Sequence, residues 1–171
     1  MFDPTEAEAV IRNSLKDISA DTLGLLGVVA LFVALALAKG KDTVVALLFA
    51  IYPATLITTI FPWYAKISLG IGGEGAYERL IVFAVATIAF FFILRGYIES
   101  YEQYGYFWRV VEAVALGVAL VGLAMAVLFN VVQVYHIYEF SVLVGTLFGS
   151  PTAFFLWLVA PVVAFPMFVR S

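Results

Sequence analysis

YFWRVVEAVALGVALVGLAMAVLFNVVQVY, residues 106–135, is the stretch on which the reading of this chain turns. From Ala113 to Tyr135 it carries no formal charge. At 1.5 Å per residue, a helix of that length crosses a hydrocarbon core of ~30 Å. Its ends carry side chains suited to a membrane interface: Trp108 and Arg109 before it, Tyr135 and His136 at its close. Ala115, Ala119, Gly122 and Ala126 recur at spacings of 4, 3 and 4, so they share one helical face. Lipid tails are as apolar as any side chain, so helices associate in a bilayer through close packing, which a face of small residues permits. This stretch reads as the helix against which the others pack.

The rest of the composition agrees. Of 171 residues, 64% are hydrophobic and 12% are charged, where a soluble domain has about 25% charged. Too few polar residues exist to cover a soluble core. The expected fold is all-α, a polytopic membrane helical bundle of about five transmembrane helices in a single domain over residues 22–171, preceded by a short amphipathic helix over residues 1–21. The net charge of −3 leaves no basic patch to neutralise phosphates and argues against nucleic acid as a partner. The absence of cysteine removes disulfides, thiol catalysis and thiolate metal sites.

The chain opens with Asp3, Pro4 and Glu6, which supply an N-cap, a proline at the first helical position and a capping-box carboxylate. Ala7, Ile11, Leu15 and Ile18 follow at helical spacing beside Glu8, Arg12 and Lys16. That helix lies on a membrane surface or caps the extramembrane face of its own protein, and its excess of acid disfavours anionic lipid. The first span covers residues 22–38, with Gly27, Ala30, Ala34 and Ala38 as a second small-residue row. Ala36-Leu37-Ala38 resembles a signal-peptidase site, but the long acidic region before it is the wrong flank for a signal peptide. A retained span is expected.

Lys39-Gly40-Lys41-Asp42 is a tight turn into the second span, residues 43–61. Pro53 frees the carbonyl of Phe49 and is expected to kink that span. Thr55, Thr58 and Thr59 beside it read either as part of a broken-helix binding site or as hydroxyls satisfying the freed backbone, and the second reading is preferred. The glycine-rich stretch 70–75 lacks the lysine and hydroxyl of a phosphate-binding loop and reads as a linker. The third span covers residues 80–94. Its helix is expected to run on, because Tyr97, Tyr101, Tyr104 and Trp108 continue at 4, 3 and 4, as an aromatic belt rather than a docking surface.

The fourth span covers residues 111–135, with Glu112 placed to pair with Arg109 at i, i+3. Residues 137–149 are apolar but too short to span, and read as interfacial or re-entrant. The fifth span, residues 152–169, contains Pro161 and Pro166. With the lysine hairpin inside, Lys39, Lys41, Arg95, Arg109 and Arg170 flank the inner side and Lys66 and Arg79 the outer. That bias places the N-terminus outside and the C-terminus inside.

The basic glycine hairpin between apolar spans (AKGKDTVVALLFA), a third span, and the glycine- and alanine-rich fourth (VEAVALGVALVGLAMA) resemble the colicin V production protein (CvpA) family over residues 22–135. That resemblance implies a small accessory protein of the bacterial cytoplasmic (inner) membrane without known catalysis, and it supplies no site residues.

Three function classes follow from the residues. The first is a non-catalytic accessory or assembly protein, with the lipid bilayer and either a second copy or another membrane protein as its partners. The second is a small transporter or channel subunit built on the helices kinked at Pro53 and Pro161, although transporters commonly carry ionisable groups at mid-membrane. The third is a membrane enzyme, for which no catalytic, cofactor or metal constellation is found. The helix-packing candidates are Gly27, Ala30, Ala34, Ala115, Ala119, Gly122 and Ala126. The suspicious polar cluster is Asn130, Gln133, His136 and Glu139, at the end of the central helix. His136 is the sole histidine, so no two-histidine metal site can form. Glu139 could orient it, but no activated nucleophile accompanies them. Polar packing where the helix leaves the bilayer is the expectation.

Overall fold

A computed structural model describes residues 20–64, 75–98 and 106–169. All regular structure among them is helical: α1 (Ala20–Lys39), α2 (Lys41–Ile60), α3 (Ala76–Arg95), α4 (Tyr106–Val127), α5 (Val142–Phe148) and α6 (Pro151–Val169). Of the amphipathic helix expected over residues 1–21, residues 1–19 lie outside the described residues, as do most of the linker 70–75, Tyr101, Tyr104 and Arg170, while Ala20 and Asp21 belong to α1.

Four stretches are long and apolar enough to cross a membrane: α1, α2, α3 and the run Phe107–Val132. The fifth candidate is not a straight helix. α5 and the first part of α6, to Val163, meet at 61°, as a broken span or a re-entrant loop. The break falls at Gly149-Ser150-Pro151, where the Ser150 hydroxyl accepts from the Ala153 N–H at 3.1 Å and a proline opens the next helix. An all-α bundle whose helices are long and apolar enough to cross a membrane is therefore the architecture.

α2 and α4 form its inside. Half of each crossing stretch is buried, against 6% of α1 and 17% of α3. The face that α4 turns inward is Ala113, Leu116, Leu120, Leu123 and Val127, at spacings of 3, 4, 3 and 4, and it meets Val44, Leu48 and Ile51 of α2. α3 packs chiefly on α2, and α1 chiefly on α4. α4 is thus one of two central helices, not the single hub.

The α1–α2 link is one residue long. Gly40 sits at φ 89°, a conformation open to glycine at little cost, and joins helices that end at Lys39 and begin at Lys41. At the far end of α3 the expected continuation stops. Arg95 lies in the last turn, and the helix is closed by the Gly96 N–H donating to the Ile93 carbonyl at 3.3 Å and the Tyr97 N–H to the Leu94 carbonyl at 2.9 Å. Glycine is a weak helix former, and Arg95 already favours a C-terminus there through the helix dipole. Tyr97 consequently projects into solvent or lipid at 84% exposure instead of extending a helical stripe.

α2 runs unbroken through Pro53. The hydroxyls of Thr55, Thr58 and Thr59 donate to the carbonyls of Ile51, Ala54 and Thr55, each one turn back. All three bonds are ordinary one-turn-back contacts within α2, and none is made to the Phe49 carbonyl that the proline frees, so the expected compensation of that group is not what these hydroxyls do. Across the bundle, the Tyr52 hydroxyl donates to the Leu158 carbonyl at 2.8 Å and ties α2 to α6.

Candidate functional site

Chemistry gathers where α4 ends. The α-helix gives way at Leu128 to a π-helical turn through Val132, then Gln133, then a 3-10 turn over Val134–His136. Gln133 takes φ 63° and ψ 47°, the left-handed region, and is the one described non-glycine residue with positive φ. That conformation costs a non-glycine residue roughly 1–2 kcal/mol. Arg79 holds it: its Nη1 donates to Gln133 Oε1 at 2.6 Å, joining the first turn of α3 to the end of α4. Glu78 beside Arg79 is buried at 6% exposure. Tyr64, leaving α2, completes the arc. Its hydroxyl donates to the Thr58 carbonyl at 2.6 Å. Burial pushes its phenol above the ordinary range, while the nearby Arg79 charge pulls the other way.

Asn130, Gln133 and His136, three residues apart, would share a face with Glu139 beyond them only if the helix continued, and it has ended. Asn130 lies in the π turn and donates from Nδ2 to the carbonyls of Ala126 at 2.9 Å and Phe148 at 2.7 Å, binding α5 to α4. Gln133 turns to Arg79. His136 is exposed and stacks against Tyr135 with centroids 4.4 Å apart, and Glu139 is exposed.

A second polar group closes the same end from the other side. Asp21, in the first turn of α1, accepts from the Tyr138 hydroxyl at 2.9 Å and from the Ser141 N–H at 2.7 Å. The hydrogen bond to Asp21 and its negative charge, in that order, raise the Tyr138 phenol above its usual value. At the opposite, Gly40 end, Glu112 takes Lys41 as its ion-pair partner at 3.3 Å, with both side chains largely buried. The pair shown for Glu112 therefore bridges α4 and the hairpin, where an intrahelical contact to Arg109 was expected. A cross-helix partner can reach a carboxylate facing α2.

The small-residue candidates divide. Gly122 lies flat against the Trp157 ring, with no room for a Cβ, and Ala126 is fully buried. Ala115 and Ala119 are half-buried. Gly117, outside the predicted row, receives α1: a Cβ there would stand 2.9 Å from Val33 Cγ2 and 3.5 Å from the Val29 carbonyl oxygen. Gly27, Ala30 and Ala34, in contrast, are all exposed, and a Cβ on Gly27 would meet nothing within 4 Å. That row faces away from the core, because α1 turns Val33, Ala36 and Leu37 inward.

Trp157, inside the stretch 152–169, carries no signal of its role in the sequence. It stacks on Phe148 with centroids 5.6 Å apart, donates from its indole to the Leu147 carbonyl at 3.2 Å and fills the Gly122 notch. Arg79 and Asp21 were equally missed as partners, since their contacts lie 54 and 117 or more residues away.

Among the described residues no group of three or more His, Asp or Glu side chains is placed to hold a metal ion. Comparison of the chain with protein-family models, curated proteins and solved structures found no match.

Proposed function

We propose that this chain is a non-catalytic accessory or assembly protein of a bacterial cytoplasmic membrane, of the kind the CvpA resemblance implies. The observation that carries this reading is how the most suspicious polar side chains are employed. Asn130 joins α4 to the α5 end, Gln133 receives Arg79, and Glu112 receives Lys41. A hydrolytic or acid–base site needs groups that converge on a vacant reacting position, and these converge on backbone and on each other. His136→Ala should therefore restore any phenotype that deletion of the protein produces. Loss of that phenotype at normal protein level would overturn the reading.

The orientation belongs to the same proposal. Lys39, Lys41, Arg95 and Arg109 gather at the Gly40 end, and Arg79 sits at the other. The basic bias supports placing the Gly40 end in the cytoplasm, with the N-terminus outside and, for five spans, the C-terminus inside. Reporter fusions at Gly40 and Gly73 should report opposite sides. Alkaline extraction should leave the protein in the membrane fraction.

A transporter or channel subunit is the second reading, favoured by the 61° break between α5 and α6 beside the π turn of α4. Broken helices of this kind line transport sites in other folds.

A further inference from the structure

Between α1, α4 and the segment before α5 lies an open cavity of about 230 Å³. Gly24, Leu25 and Val28 of α1 form one wall, and Val121 and Met125 of α4 the other. Phe140 and Val144 close one side. Asp21 is the sole charged residue of the lining among the described residues, and it stands at the helix terminus. From Asp21 to Val28 is seven helical steps, about 10 Å along the axis. The groove thus starts at a carboxylate at the end of a membrane-crossing helix and descends between apolar walls. Gly24 keeps it open: a Cβ there would meet nothing within 4 Å, so its smallness serves no packing contact within the described chain.

We propose that this groove holds one acyl chain of a phospholipid whose primary ammonium headgroup rests on Asp21. The inference depends on the bilayer placement argued above. Within a bilayer, an apolar groove open to the side faces lipid, and its polarity gradient, carboxylate above and hydrocarbon below, matches that of a zwitterionic phospholipid whose ammonium is the outermost group of its head. Each Asp21 oxygen has two acceptor directions and spends one, on the Tyr138 hydroxyl or the Ser141 amide. A primary ammonium brings three donors and the complementary charge to the directions left over. A headgroup of net negative charge would meet the same carboxylate with like charge, and among the described residues no basic side chain lines the groove to offset it.

The test is native mass spectrometry of the full chain in mild detergent, with phosphatidylethanolamine, phosphatidylcholine and phosphatidylglycerol of identical chains at equal concentration. Phosphatidylethanolamine should be retained about threefold or more above phosphatidylglycerol, the range of one partly screened ion pair. Phosphatidylcholine, which has no N–H donor, should fall between them. Gly24→Leu should abolish the preferential retention, whereas Gly27→Leu, on open surface off the groove, should keep it. Asp21→Asn should retain lipid while levelling the headgroups. Equal retention of the three lipids by the native protein overturns the proposal, and so does unchanged selectivity in a folded Gly24→Leu variant. The headgroup series on the native chain needs no variant to fold. If alkaline extraction releases the protein from membranes, the bilayer placement itself fails instead.

Discussion

α4 and α1 each carry small residues at helical spacing in an apolar helix, and the bundle uses them in opposite ways. On α4, Gly122 is closed by an indole ring and Gly117 by the Val33 side chain and the α1 backbone. On α1, Gly24 and Gly27 face open space. A small residue therefore permits close approach without requiring it. What decides is whether a neighbour has a shape to put there: Trp157 is held in place by Phe148 and the Leu147 carbonyl, and it needs a notch. α1 touches the bundle through its other side and leaves its glycines at the boundary.

The sharpest way to break this contrast is Gly122→Leu. The new side chain and the Trp157 ring cannot share the space, and overpacking typically costs 1–3 kcal/mol, more where the neighbour cannot yield. We expect a loss of about 3 kcal/mol or more in detergent thermal unfolding, with Trp157 emission shifted as the ring is displaced. Adding Trp157→Ala should recover part of the loss, a coupling that a double-mutant cycle reads directly. Leu120→Ala comes next, because it empties a position 1% exposed between α4 and α2. A cost of about 2–4 kcal/mol is expected.

Gly117→Val sharpens the comparison from the α1 side. Its branches would press on Val33 and on the α1 backbone, for an expected loss of about 1–3 kcal/mol. The smallest effects belong to α1 itself. Gly27→Ala and Leu31→Ala should each stay within about 0.5 kcal/mol, since one lies in open space and the other is 62% exposed. A large loss from either would show that α1 is covered by something that calorimetry in detergent still senses, and a shifted elution volume would identify a second copy.

The membrane-crossing stretches were legible because a bilayer sets a fixed length and excludes charge, and both leave marks along the chain. The first hairpin was legible for a similarly local reason: Gly40 between lysines leaves little alternative to a tight turn. The inward face of a span was not. In water the buried face is the apolar one, but in lipid both faces are apolar, so the row Gly27, Ala30, Ala34 looked as suited to packing as the row containing Gly122. Only Trp157, far along the chain, distinguishes them. The polar end of α4 failed for another reason. Asn130, Gln133 and His136 align on an unbroken helix, yet a π turn and a left-handed Gln133 intervene, and glutamine gives no cue for positive φ. The Arg79 contact that secures that conformation is tertiary. The sequence spacing of Glu112 and Arg109 likewise gave no sign that Lys41 would reach the carboxylate.

The single residue between α1 and α2 bears on how the protein responds to bilayer thickness. Helices that meet a thinner or thicker membrane adjust by tilting or by shifting depth. With only Gly40 between Lys39 and Lys41, the linked ends of α1 and α2 are held at one depth. Neither can slide along the other, so any adjustment there has to be a shared tilt. The Lys41–Glu112 contact extends that tether to α4, the other inner helix. At the opposite ends no one-residue link joins two crossing helices, and the ties are hydrogen bonds alone, from Arg79 to Gln133 and from Tyr138 and Ser141 to Asp21, so a change in membrane thickness would be taken up there.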